Sequence, residues 1–162
     1  MYGLDYIQEE DATTWLLNAV PQRPPFRFID DILELDDRHV LGSYRYREDE
    51  FFYTGHFPGC PVTPFVILIE TMLQIGGIAF ATFLNRIATG GQSMAAPILT
   101  DVAGVEFFSS VLPGERVLVR GEKIYFRKHH MKIGTTMFTV EGQEISHAVV
   151  SGFFGERDIE RL

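Results

Sequence analysis

Cysteine is nearly absent: Cys60 is the single one in 162 residues. It can form no internal disulfide, so the chain reads as intracellular and reduced, with Cys60 a small residue filling a turn. Positive charge is also short, 14 Lys and Arg against 22 Asp and Glu, a net charge of -8. That balance excludes a non-specific nucleic-acid binder, which needs broad phosphate neutralisation, and no zinc-finger or other nucleic-acid motif offsets it. The N-terminus, Met1-Tyr2-Gly3-Leu4-Asp5, lacks the basic start and apolar run of a secretory signal, so a cytoplasmic location is expected. With no internal repeat, low-complexity tract or linker, residues 1–162 are expected to form a single domain, one core serving about 100 to 200 residues.

What is plentiful is apolar and aromatic. Hydrophobic residues make up 46% and aromatic residues 13%, including 14 Phe, which suits a folded globule with aromatic-lined pockets or interfaces. The membrane-like stretch Val66 to Leu84 contains Glu70, Gln74 and Gly76-Gly77. A charge inside a bilayer costs several kcal/mol, so a buried core helix is expected and stable membrane insertion is not.

Along the chain, an N-terminal helical segment within 1–20 runs from Asp11, a candidate cap, to Val20, with Ala12, Trp15, Leu16 and Val20 near one face. Pro21, Pro24 and Pro25 stop it. Phe26 to Leu35 and His39 to Arg47 have β-type content around an Asp36-Asp37-Arg38 turn. Thr63 is the candidate N-cap, with Pro64 in the first turn, of a helix over 65–84 that is apolar all round and therefore enclosed. Asn85 to Gln92 reads as a polar loop. Four strands follow, Ile98–Phe108, Glu115–Arg127, Met131–Glu141 and Glu144–Phe154, before a charged tail at 156–162. Two strands, a helix and four strands predict an α+β fold in which a curved antiparallel sheet wraps a central apolar helix.

The chemistry concentrates in Gly55 through Gln74. Glu70 on an apolar helix loses hydration, which disfavours its charged form and suits a general acid. His56 suits a general base, since an unperturbed histidine changes charge at about pH 6.5. Between them the helix start at Thr63-Pro64-Phe65 offers unpaired N–H groups that can stabilise a carbonyl oxygen as it gains negative charge. Base, acid and oxyanion site match removal of a proton next to a carbonyl with loss of a group one carbon further on. The alternative is a turn histidine bonded to backbone and a buried, satisfied structural carboxylate; Gln74, one turn beyond Glu70, favours the functional pair.

Gly55-His56-Phe57-Pro58-Gly59-Cys60-Pro61-Val62-Thr63-Pro64, followed by a helix carrying Glu70 and Gln74, resembles the 3-hydroxyacyl-[acyl-carrier-protein] dehydratases of the FabZ/FabA type. Val20-Pro21-Gln22-Arg23-Pro24-Pro25-Phe26 with Asp30, and Val111-Leu112-Pro113-Gly114-Glu115, are similar to further motifs of that family. Glu70, where the FabA branch has Asp, places the likeness nearer FabZ. The resemblance implies a hot-dog fold in which His56 takes the C2 proton of a 3-hydroxyacyl thioester and Glu70 assists departure of the C3 hydroxyl as water. The Phe65 N–H would hold the thioester oxygen, with Gln74 and Gly59 in support. It implies no metal or organic cofactor, a substrate carried on the phosphopantetheine of an acyl carrier protein, and a homodimer or trimer of dimers that shares each site between subunits.

Three positions depart from the family pattern. Phe65 replaces Gly, Gln22 replaces His, and Glu106-Phe107-Phe108-Ser109-Ser110 replaces a basic segment. Substitute carrier docking falls to Lys123, Arg127, Lys128 and Lys132, with His129 and His130; a solvated hairpin face is the alternative. The pathway implied is fatty-acid or related polyketide or polyene synthesis. A hot-dog acyl thioesterase and a non-catalytic acyl-carrier-binding homologue are the competing functions.

Overall fold

The computed structural model of the protein describes residues 9–93 and 95–155. Six strands form one antiparallel sheet in the order β1-β2-β4-β5-β6-β3. They are β1 (Asp31–Leu35), β2 (His39–Arg45), β3 (Ala96–Phe107), β4 (Arg116–Arg127), β5 (His130–Thr139) and β6 (Glu144–Gly155). Burial alternates along them: Val117 and Val119 on β4, and Met131, Ile133, Thr135 and Met137 on β5, all face the core. Side chains on a strand alternate between faces, so this period-two pattern locks the register. The β1–β2 turn closes as its composition predicts, with Asp36 Oδ1 accepting from the N–H of Arg38 at 2.7 Å and of His39 at 2.8 Å.

The sheet wraps helix α2 (Phe65–Thr89). This helix is long and apolar enough to cross a bilayer, yet most of it is buried inside the protein. It is α-helical over Phe65–Met72, π-helical over Leu73–Ala79 and α-helical again over Phe80–Thr89. The middle stretch lies directly on backbone. A Cβ on Gly121 of β4 would stand 2.8 Å from Gly76 Cα, and one on Gly76 would stand 2.5 Å from Thr135 Cγ2. Glycine at both positions is what lets the helix approach the strands this closely. A shorter helix, α1 (Glu9–Ala19), covers one end, burying Leu16 and Val20 and placing Trp15 under the Arg86 guanidinium, 4.1 Å from the ring centroid.

Several expectations are corrected. The central helix runs to Thr89, where Gly90 at φ 59 closes it; Asn85 is buried and Arg86 and Ala88 continue the helix, so these residues are its last turns, not a loop. Nor is it enclosed throughout, because Phe65 and Val66 at its start are 48% and 70% exposed. Asp11 lies inside α1, not at its cap. Thr63 does not cap α2: Pro64 holds the N-cap position and the Thr63 hydroxyl is bound elsewhere. The first strand begins at Asp31, and upstream of it the backbone is bound to Gln74, with Phe28 N–H donating to its Oε1 and Phe26 O accepting from its Nε2. The charged tail at 156–162 and residues 1–8 of the N-terminal segment lie outside the described residues.

Candidate active site

The loop before α2 is built to hold one imidazole. His56 N–H donates to Phe52 O at 3.0 Å, and Val62 N–H donates back to His56 O at 3.0 Å. His56 Nδ1 lies 2.9 Å from Val62 O. A carbonyl oxygen can only accept, so Nδ1 carries the proton and Nε2 keeps a free lone pair. Gly59, at φ 75, makes the left-handed turn at the loop tip, beside the exposed Cys60. The shoulders of the loop are fixed by a buried hydroxyl pair, Tyr53 Oη to Thr63 Oγ1 at 2.6 Å, and by Thr63 N–H donating to Val111 O at 2.9 Å.

Glu70 sits half-buried on the second turn of α2. Gln74 Nε2 donates to Glu70 Oε1 at 2.8 Å and to Phe26 O at 3.1 Å, while Gln74 Oε1 accepts the Phe28 N–H at 2.7 Å. Phe28 offers a donor, so the amide oxygen must face it and the NH2 must face Glu70. Gln74 is fully buried, and its orientation is thereby set. Burial raises the Glu70 pKa, and the Gln74 hydrogen bond opposes the rise without cancelling it.

At the start of α2, Ile67 and Leu68 N–H both donate to Pro64 O. The Phe65 N–H makes no hydrogen bond within the described chain and is one of the orphan donors of the helix end. The Phe65 ring lies flat on Phe107 of β3, centroids 4.3 Å apart and planes 10° apart. β3 is the last strand of the sheet, so this stack borders its open edge.

The structure thus joins Glu70 to Gln74 and seats His56 on Val62, and it places no hydrogen bond between His56 and Glu70. Neither residue lines the cavity between α1 and the end of α2, nor the grooves beside Asp30 and beside Ser109. Among the described residues no group of three or more His, Cys, Asp or Glu could hold a metal ion. Of the basic residues, Lys123 bridges to Asp37 at 3.4 Å, while Arg127, Lys128 and Lys132 have no carboxylate partner among the described residues. They gather on the β4–β5 hairpin, at the opposite end of β4 from the connection that holds Thr63. A strand of that length spans about 40 Å. The 106–110 segment is acidic in its surroundings, with His147 between Glu144 at 2.7 Å and Glu106 at 4.0 Å.

Sequence reasoning missed Val62, Phe28, Phe107 and the Tyr53–Thr63 pair. Three of these act through backbone atoms or through contacts between distant segments, which leave no local pattern. A threonine and a tyrosine flanking the histidine loop were the one visible signal.

A FabA-like domain model matches residues 20–149. The chain belongs to the FabA-like family. Among FabA-like relatives it is 31% identical over 136 residues to the 3-hydroxyacyl-[acyl-carrier-protein] dehydratase FabZ of Thermus thermophilus, a span of 84% of this chain and 92% of the relative. It is 32% identical over 133 residues to the FabZ of Caldicellulosiruptor saccharolyticus, covering 82% and 90%. In shape it is similar to the dehydratase heterocomplex ApeI:P from Xenorhabdus doucetiae, with a TM-score of 0.72 and 12% identity over 88% of this chain and 91% of that one. Zebrafish thioesterase superfamily member 2 is also similar, with a TM-score of 0.66 and 10% identity over 93% and all of that chain (100%). At such identities the two structures speak for the hot-dog fold alone, and this FabA-like chain has it.

Proposed function

We propose that this protein removes water from 3-hydroxyacyl-[acyl-carrier-protein] thioesters to give trans-2-enoyl thioesters, in fatty-acid or related polyketide or polyene synthesis. The tautomer of His56 carries the reading: with Nδ1–H committed to Val62 O, Nε2 is the basic atom, and it takes the proton from C2. Glu70, whose carboxyl is kept protonated to higher pH than usual, gives its proton to the C3 hydroxyl, which leaves as water. The electron pair from the C2–H bond becomes the C2=C3 double bond. Negative charge passing through the thioester oxygen meets the free N–H of Phe65. Gln74 aims the acid and Gly59 shapes the loop that aims the base. Both proton transfers use side chains of the protein, so the reaction as written requires no metal or organic cofactor. The acyl group arrives on the phosphopantetheine of an acyl carrier protein in the cytoplasm.

The resemblance to the FabZ/FabA dehydratases implies a homodimer, or a trimer of such dimers, in which His56 of one copy faces Glu70 of the other, and the lack of a hydrogen bond between His56 and Glu70 among the described residues agrees with it. Arg127, Lys128 and Lys132, which have no carboxylate partner among the described residues, with Lys123 beside them, are the carrier-docking candidates by sign. Supplying 3-hydroxyacyl and enoyl carrier thioesters to wild type, His56→Ala and Glu70→Gln tests the assignment. Wild type should interconvert them, and each variant should lose about 100- to 10,000-fold in rate. Variants that keep the wild-type rate would remove both residues from the mechanism, and release of free thiol instead of an enoyl product would point to a thioesterase.

A further inference from the structure

The Phe65 ring does not simply fill space at the helix start. Its plane lies 10° from that of Phe107 with centroids 4.3 Å apart, so Phe107 backs one face. Phe65 is nevertheless 48% exposed in the single chain, which leaves part of the residue uncovered. A flat aromatic wall, rigidly backed from β3, therefore stands on the same residue as the free N–H. Phe107 is half-buried and packs on the core, which fixes the wall to the sheet. An acyl group whose thioester oxygen reaches that N–H passes within a few bond lengths of the ring, because both belong to residue 65.

Resting on the dehydratase reading, we propose that Phe65, backed by Phe107, is a specificity-determining residue that selects acyl chains planar and conjugated beyond C3 over saturated ones. Flat π-systems lie on an aromatic face across their whole width, whereas a saturated chain meets it with a few hydrogens and must also freeze its rotamers. Offset stacking of one unsaturated segment corresponds to a preference of about 2- to 10-fold. The same wall gives no advantage to length alone, so the discrimination is by shape.

The test compares carrier thioesters of 3-hydroxyoctanoate and 3-hydroxyocta-4,6-dienoate by kcat/KM, and the matching enoyl-pantetheine amides by dissociation constant. Wild type should favour the conjugated member of each pair several-fold. Phe65→Leu keeps the N–H and apolar bulk but not the flat ring; it should bring the affinity ratio close to one and lower the kcat/KM ratio several-fold, toward the value set by the greater intrinsic reactivity of an allylic C3 hydroxyl. Phe107→Leu, which removes the backing alone, should lower them partway. A wild-type ratio of one or below, or a ratio unchanged in Phe65→Leu, overturns the inference. Failure to turn over either carrier thioester would instead sink the dehydratase reading, and the amide affinities would still decide the role of the ring.

Discussion

Glu70 is held between two opposing influences, burial that favours its neutral form and a Gln74 N–H that favours its charge, and burial is the stronger. A general acid needs that outcome, but it costs stability. Because the folded pKa lies above the unfolded one, the folded state binds more protons between the two, and stability falls as pH rises through that window. Glu70→Gln is therefore expected to melt higher than wild type at neutral pH, with the gap closing below about pH 4, where the unfolded carboxyl is protonated too. A thermal melt of both proteins across pH checks this; a lower melting temperature for the variant at neutral pH would mean that the carboxylate is well solvated. Gln74→Leu removes the opposing hydrogen bond, so the alkaline limb of the rate profile should move to higher pH. Its stability should drop by about 1 to 3 kcal/mol, since the buried Phe28 N–H loses its acceptor. At this scale the candidates Glu70 and Gln74 stood out as polar groups in an apolar run, and His56 as an imidazole in a turn rich in glycine and proline. What Gln74 bonds was not, because Phe26 and Phe28 are more than forty residues away.

The central helix carries the acid at one place and its anchorage at another, and the two are less than two turns apart. Gly76 rests on Gly121 and Thr135, whereas Gly77, its neighbour in sequence, looks toward Leu99 and Val150, and a Cβ there would meet no atom closer than 3.5 Å. Adjacent glycines thus make different demands. Gly121→Ala would put a Cβ 3.0 Å from Gly76 O as well as against its Cα, neither of which is a flexible side chain. A loss of about 1 to 3 kcal/mol is expected in denaturant unfolding, with activity falling too as Glu70 and Gln74 shift. Gly77→Ala should be neutral or gain up to about 1 kcal/mol from the helix propensity of alanine. Equal effects at the two sites would mean that the helix does not lie on β4 as described. Apart from β1, whose β-type content starts five residues early, the position of the helix and the other five strands followed from hydrophobic run length and β-type content. The π-helical stretch did not, since a change from i+4 to i+5 bonding over Leu73–Ala79 leaves the composition untouched. The helix end escaped detection for a related reason, because Asn85, Arg86 and Thr89 give the last turns the composition of a loop although Asn85 is buried.

The sheet has β3 at one open edge, and no hydrogen bond joins His56 to Glu70 among the described residues, as the proposed shared site requires. The six-stranded wrapping was legible from the order of the elements, but assembly was expected only through the family resemblance, because nothing local in a sequence distinguishes an apolar residue facing its own core from one facing a second copy. The split-site dimer makes a prediction that no one-chain site shares. His56→Ala keeps an intact Glu70, and Glu70→Gln keeps an intact His56, so each homodimer is dead at both of its sites. In a mixed dimer, one site pairs the surviving base with the surviving acid and the other pairs the two lesions. Mixing the variants in equal amounts under conditions that exchange subunits should therefore restore about one quarter of the wild-type active sites. Activity should appear at the rate of exchange, with a substrate KM close to that of wild type, because each restored site is complete. If the mixture stays as inactive as its components after exchange has been verified by mass spectrometry, base and acid act within one chain and the shared site is wrong.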